Sequence, residues 1–84
     1  MHVVRKIFVF ESYPPHRQDE RRRQVRDEAV AYANQHVDSL INICEFKEFS
    51  RQISGTVYYD HVWVVWHRSD SAIEPETQAR GFDL

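Results

Sequence analysis

Residues 58–67 constrain the fold of this chain more than any other segment. Their sequence, Tyr-Tyr-Asp-His-Val-Trp-Val-Val-Trp-His, contains both tryptophans of the 84-residue chain. Aromatic and β-branched side chains pack well on a pleated surface, so this composition predicts a β-strand. Alternate residues of a strand face opposite sides of its sheet, which places Trp63 on one face and Trp66 on the other. Both faces are therefore apolar, and the strand is predicted to lie in the middle of a sheet.

Three more elements are predicted before this strand. A β-branched and aromatic run at residues 3–10, which ends before two prolines, predicts a first strand. A helix is predicted over residues 16–37, because Pro15 suits a first helical turn. One arc of this helix carries its apolar side chains, namely Tyr32, Val25, His36, Ala29, Ala33, Val37 and Val30. Residues 40–49 form the predicted second strand, and Ser54-Gly55 supplies a hairpin turn to the third.

The element order predicts an α+β fold with a single βαββ domain over residues 1–68. Short connections favour a three-stranded antiparallel sheet of order 1-3-2, with the amphipathic helix on one face. Residues 69–84 form a polar C-terminal tail that could dock on its own or a partner subunit. A turn symmetric about Ser54-Gly55 would place Phe46 opposite Trp63, Cys44 opposite Val65 and Ile43 opposite Trp66. A one-residue bulge would reverse these face assignments.

Composition excludes several classes of protein. The chain has 11 Lys and Arg against 13 Asp and Glu, a net charge of −2, so it is not polybasic overall. The single cysteine, Cys44, excludes an intramolecular disulfide and fits a reducing compartment. No run of residues resembles a secretory signal or a membrane span. We therefore expect a cytoplasmic protein that does not associate with a membrane.

No residue pattern indicates catalysis, a metal or a cofactor. His61 and His67 are six positions apart on one strand, roughly 20 Å, too far to share a metal ion. Cys44 lies among apolar strand residues, where a cysteine acts as a small hydrophobe. Two glycines in the whole chain cannot form a glycine-rich phosphate loop. The sequence therefore predicts a protein that is not an enzyme and has no catalytic residue, metal ligand or cofactor.

The sheet face without a helix is the main functional feature that the sequence predicts. One helix can cover only one face, so the other needs a partner, a ligand or the tail. The candidate interface or ligand residues are Tyr59, His61, Trp63, Trp66 and Phe46. We expect a homodimer or higher homo-oligomer that acts as a protein-interaction module, with a further protein partner possible. The alternative is a tryptophan-lined cavity between subunits that binds a planar small molecule.

The start of the helix is rich in arginine. Arg17, Arg21, Arg22 and Arg23 are candidates for contact with an anion or a partner, which makes weak nucleic-acid binding a further alternative. Acidic residues follow closely in the sequence, and the chain has no net positive charge. These two features disfavour nucleic acid as a partner.

One short segment is similar to a known family. Glu45-Phe46-Lys47-Glu48, followed by Tyr59, resembles the dodecins, small flavin-storing proteins whose elements follow the same βαββ order. This chain has Ile43 where that family places its flavin-stacking tryptophan, its helix starts differently and its tail is longer. The likeness covers about a dozen residues, and small unrelated sheets share the topology, so neither the family nor a flavin is assigned.

Overall fold

The computed structural model describes residues 1–12 and 18–80. The elements in chain order are β1 (His2–Phe10), α1 (Gln18–Gln35), a 3-10 turn (Val37–Ser39), β2 (Leu40–Ile53), β3 (Thr56–Ser69) and β4 (Gln78–Arg80). The helix ends at Gln35, before the predicted end at residue 37. The predicted first residues, 16 and 17, lie outside the described residues. β2 is longer than the predicted second strand, because it continues to the hairpin turn.

The strands form a mixed sheet of order β2-β3-β1-β4. The predicted α+β class and the adjacency of strands 1, 3 and 2 are confirmed, with β3 in the middle and antiparallel to both neighbours. The prediction of three antiparallel strands was wrong in one respect. A fourth strand, β4, pairs parallel to β1 at Phe8 to Phe10, so the outer edge of β1 is occupied there.

The hairpin between β2 and β3 corrects the predicted register. Ser54 and Gly55 both have positive φ, 50° and 81°, as a two-residue turn of type I′ requires. Pairing is symmetric about this turn only as far as Arg51, because a bulge between Phe49 and Arg51 leaves Ser50 unpaired. From Phe49 back to Asn42 every partner shifts by one residue, and a second irregularity follows between Asn42 and Leu40.

The shift changes each of the three predicted pairs. Phe46 lies opposite Val62, Cys44 opposite Val64 and Ile43 opposite Val65. The predicted partners Trp63, Val65 and Trp66 were therefore wrong. Because partners in a ladder share a face, Phe46 and Cys44 lie on the sheet face of Val62 and Val64, not on that of Trp63.

The helix packs mainly on β1 and β3, and β2 reaches the core only through Leu40 at its start. The buried stripe of the helix is Val25, Ala29 and Ala33, which meets the core formed by Phe8, Phe10, Trp63 and Val65. The spacing of four residues puts this stripe on one side of the helix, and the small alanines allow close approach to the sheet. Two members of the predicted apolar arc were assigned wrongly, because Val30 and Val37 are 43% and 62% exposed. Tyr32 and His36 lie at the boundary, half-buried.

Candidate functional site

The five residues predicted as one interface or ligand face divide between the two faces of the sheet. Tyr59, His61 and Trp63 lie on the helix side, where Trp63 is 3% exposed within the core. Phe46 and Trp66 lie on the opposite side, which we call the open face. The register set by the bulge decides that Trp66, and not Trp63, is the tryptophan of the open face.

The central residues of the open face are shielded from solvent. Val62 and Val64 in the central strand are only 3% and 6% exposed, although no helix lies over them. The guanidinium of Arg5 lies 5.7 Å from the centre of the Trp66 ring, a cation–π contact that covers part of the indole. Phe46 on β2 is different, because it is 46% exposed. On this face, large apolar side chains are therefore exposed on β2 at Phe46 and at the start of β1 at Val3, but not in the central strand.

β2 itself is exposed or half-buried along its whole length. It has 14 residues, and none of them is buried. Its large apolar side chains Ile41, Ile43, Phe46 and Phe49 are 47%, 37%, 46% and 61% exposed. Within residues 1–12 and 18–80, β2 pairs only with β3, so its other edge has no strand beside it.

The other edge of the sheet is partly covered by residues 74–80. β4 pairs with β1, and two side chains of β1 tie the segment before β4 to the sheet. Arg5 forms an ion pair with Glu74 at 3.3 Å, and the ammonium group of Lys6 donates to the carbonyl oxygen of Glu76. Beside β4, the Gln78 amide donates to a Glu28 carboxylate oxygen of the helix at 3.2 Å. A cleft of about 250 Å³ lies between the helix and β4 at this point.

A second cleft lies on the helix side of the hairpin, beyond the start of the helix. Its volume is about 420 Å³, and its walls are formed by Ser12, Lys47, Thr56, Val57, Tyr58, Tyr59 and His61. Burial lowers the pKa of His61 below 6.5, and the positive charges of Arg22 and Lys47 lower it further. The ring also lies 6.1 Å from that of Trp63. Burial and these two cations thus disfavour the protonated form of His61, and the carboxylates of Glu45 and Asp60 oppose them in part.

The arginine-rich start of the helix does not form one continuous charged site. Arg22 lies 3.9 Å from an Asp19 carboxylate oxygen, and Arg23 donates to the Asp19 carbonyl oxygen at 3.4 Å. Arg21 and Arg22 are half-buried, whereas Arg23 is exposed. The fourth predicted member, Arg17, lies outside the described residues.

Sequence reasoning missed a cluster of three rings at the other end of the helix. His67 is 4% exposed, and its Nδ1 lies 2.8 Å from the Arg68 carbonyl oxygen. A carbonyl oxygen only accepts, so Nδ1 carries a proton, and in the neutral ring Nε2 then accepts from the Tyr32 hydroxyl at 2.7 Å. Burial raises the pKa of Tyr32, which keeps that donor protonated. His36 stacks on His67 with ring centres 4.2 Å apart.

This cluster joins the last turns of the helix to β3. The signal for it in the sequence was the parity of His67, which shares a strand face with Trp63, and the place of His36 on the helix arc. Predicting the contact would have required the position of the helix along the sheet. The other histidine of this strand face, His61, lies toward the opposite end of β3, opposite Phe10, and does not indicate this cluster.

No cluster of three or more His, Cys, Asp or Glu side chains suited to a metal ion occurs among residues 1–12 and 18–80. Cys44 is a half-buried free thiol. In the same part of the chain, no helix has both the length and the hydropathy needed to cross a bilayer. Comparisons with protein-family models, with curated proteins and with solved structures found no match to this chain.

Proposed function

We propose that this protein is a non-catalytic interaction module that associates with itself through the β2 side of its sheet. The observation that carries the proposal is the exposure of β2, which has 14 residues, none of them buried. Within residues 1–12 and 18–80, the helix packs mainly on β1 and β3 and β4 occupies part of the edge of β1, so β2 is left with little helix contact and no strand on its outer edge. Natural proteins usually shorten, cover or pair such an edge strand.

The side chains of β2 support the same proposal. Ile43 and Phe49 project on the helix side, and Phe46 projects on the open face, so apolar groups flank the edge on both faces. An edge strand of this kind supplies backbone hydrogen-bonding groups and side-chain contacts to a second strand. A partner at β2 would extend the sheet and cover these side chains together.

The planar-ligand hypothesis has less support. Trp63 lies in the core beneath the helix, and Arg5 already covers part of the Trp66 ring. Neither of the two clefts described above has a tryptophan in its wall. The geometry of the described residues therefore favours a protein surface over a stacking site for a flat molecule.

The proposal is tested by sedimentation equilibrium over a wide range of protein concentration. We expect the wild-type chain to be a dimer or larger species at micromolar concentration. Phe49→Asp, which places a charge on β2, should shift the protein toward monomer. Val30→Asp is the matched control, since Val30 is also an exposed apolar residue but lies on the helix. A wild-type chain that is monomeric throughout, or equal behaviour of the two variants, would contradict the proposal.

A further inference from the structure

We infer that two copies of this chain pair β2 with β2 in antiparallel orientation, centred on Phe46. In this arrangement Glu45 of each copy lies opposite the partner's Lys47. The inference rests on the proposed self-association and specifies its geometry. Its occupant is a second copy of the chain, because the charge pattern of β2 is complementary to itself in this register.

The faces of β2 limit the registers that are possible. From Ile43 to Phe49 the odd-numbered residues project on the helix side and the even-numbered residues on the open face. Residues directly opposite each other in an antiparallel pair project on the same face. A symmetric pair must therefore be centred on a residue that meets its own copy, and each centre gives one set of charge contacts.

Only the centre at Phe46 pairs opposite charges across the interface. A centre at Glu45 would bring two glutamates together, and a centre at Lys47 would bring two lysines together. A centre at Glu48 would again pair like charges, which is destabilising for residues directly opposite. A centre at Cys44 avoids this but places Glu45 against the partner's Ile43.

The register centred on Phe46 also matches the apolar residues. Phe46 meets the partner's Phe46 on the open face, where it is 46% exposed in the single chain. On the helix side, Ile43 meets the partner's Phe49, and the symmetry repeats this contact at the other end. Aromatic pairs and aromatic–β-branched pairs are among the favourable cross-strand contacts. The charged pairs then lie between the apolar ones.

A backbone contact shows which residues present their hydrogen-bonding groups to the outer edge. The N–H of Ile43 donates to the side-chain oxygen of Asn42 at 2.9 Å and so points away from the ladder with β3. Backbone groups of a strand alternate in direction, so Glu45, Lys47 and Phe49 also direct theirs outward. In the proposed pair these residues lie opposite one another, and each outward group finds a partner.

The same alternation makes the central Phe46 pair a non-hydrogen-bonded one, in which the two Cα atoms approach to about 4.5 Å. The two sheets become one continuous sheet with both helices on the same side. The Asn42 side chain occupies the Ile43 N–H in the single chain and must release it when the strands pair.

The decisive experiment exchanges the charges of the pair. Glu45→Lys creates two lysine–lysine contacts in the dimer, and Lys47→Glu creates two glutamate–glutamate contacts. Each variant alone should dimerise about tenfold or more weakly than wild type, since two attractive pairs become repulsive. An equal mixture of the two variants should recover dimers, because every contact then pairs lysine with glutamate. Native mass spectrometry of differently tagged chains would show that the recovered species is the heterodimer.

Glu48→Lys is the matched control, with the same change of charge on the same strand. In the proposed register Glu48 lies opposite the partner's Cys44, so the dimer should persist. If wild type dimerises but the mixture shows no preference for heterodimer, the register is wrong while self-association stands. A monomeric wild type would contradict self-association as well.

A cross-linking experiment tests the centre directly. The double variant Cys44→Ser, Phe46→Cys should form an intermolecular disulfide on mild oxidation, since its two thiols would face each other across the symmetry axis. The wild-type Cys44 pair would lie roughly 13 Å apart along the strand and should not cross-link. Cross-linking of wild type through Cys44, with none at position 46, would overturn the proposed centre.

Discussion

The two strands that pair with the central strand β3, namely β1 and β2, have different surroundings. β1 has the helix above it and β4 beside it, and Val4, Phe8 and Phe10 are 1–2% exposed. In the described part of the chain β2 has little helix contact and no strand on its outer edge, and its 14 residues include none that is buried. Both strands pair with the same central strand, so backbone pairing with β3 does not explain the difference. The position of the helix and the return of the chain end do.

This contrast teaches where a small sheet can carry an interaction. A helix that packs on two of three strands leaves the third with apolar side chains in solvent on both faces. Residues 74–80 cover part of one edge through backbone pairing and the Arg5–Glu74 ion pair. We propose that a second copy closes the other edge in the same way, by adding a strand.

A substitution in the core beneath the helix, on the strand that both β1 and β2 pair with, should have the largest effect on the free energy of unfolding. Trp63 lies in the core on β3, 3% exposed, and Trp63→Ala should lower the free energy of unfolding by about 3–5 kcal/mol. Trp66→Ala, at the half-buried tryptophan of the open face, should cost clearly less. Urea unfolding followed by circular dichroism would measure both. Equal losses would contradict the assignment of Trp63 to the core.

Proline substitutions on β2 separate its inner and outer backbone groups. Glu48 directs its N–H toward β3 by the alternation from Ile43, so Glu48→Pro should cost about 1–3 kcal/mol by leaving a carbonyl oxygen without its partner. Lys47→Pro removes an outward N–H, so it should cost less than about 1 kcal/mol and should still abolish association. The two variants would be compared by chemical unfolding and sedimentation. A larger stability loss for Lys47→Pro than for Glu48→Pro would show that the N–H of Lys47, and not that of Glu48, points toward β3.

Removal of β4 should leave the edge of β1 unpaired, as the outer edge of β2 is in the described part of the chain. A chain that ends after Glu76 lacks β4 and the Gln78–Glu28 hydrogen bond but keeps Glu74 for Arg5. We expect a loss of about 1–2 kcal/mol in unfolding free energy from the missing hydrogen bonds, together with larger oligomers. A chain that ends after Arg80 is the control and should behave as the full chain in both measurements. Unchanged oligomer size in the shorter chain would contradict a capping role for β4.

The smallest expected effect is a pH dependence at His61, which reports on the β2 side. Its pKa in the folded protein is lowered by burial and then by Arg22 and Lys47, so the unfolded chain binds its proton first as pH falls. The contribution of His61 to stability is full above pH 6.5 and decreases as pH falls toward the folded pKa. His61→Gln should therefore flatten the stability profile in this range, as measured by urea unfolding at several pH values.

The variant Lys47→Gln tests whether the charge of Lys47 lowers the pKa of His61. Loss of this positive charge should raise the pKa of His61, which proton NMR can follow directly. Arg5→Gln, at a cation on the open face, is the control and should leave the His61 titration where it is. If Lys47→Gln lowered the pKa of His61, the proposed charge environment of this ring would be wrong.

Several features could be predicted from the sequence because they depend on local chemistry. Apolar residues on both faces identified β3 as the central strand, and Ser54-Gly55 identified the turn. The alanine stripe of the helix followed from its periodicity, with Ala29 and Ala33 buried. Each depends on properties of neighbouring residues, such as side-chain parity, helical period or a backbone conformation that glycine adopts without strain.

Other features could not be predicted, because they depend on contacts between distant segments. The bulge at Ser50 changes every strand partner beyond it, yet serine gives no sequence signal for a bulge. β4 lies in a polar tail and pairs through backbone groups that every residue carries. The contact of His36 with His67 depends on where the helix lies along the sheet.

The sequence by itself determined that a central strand would be apolar on both faces and that one helix would leave part of the sheet uncovered. Only the tertiary structure decided that the uncovered part is mainly the β2 side, with Phe46 exposed and Val62 and Val64 nearly buried on the open face. The physical reason is that burial depends on the register, on the strands that the helix contacts and on the edge that the chain end reaches. Those are long-range choices that residue chemistry alone does not specify.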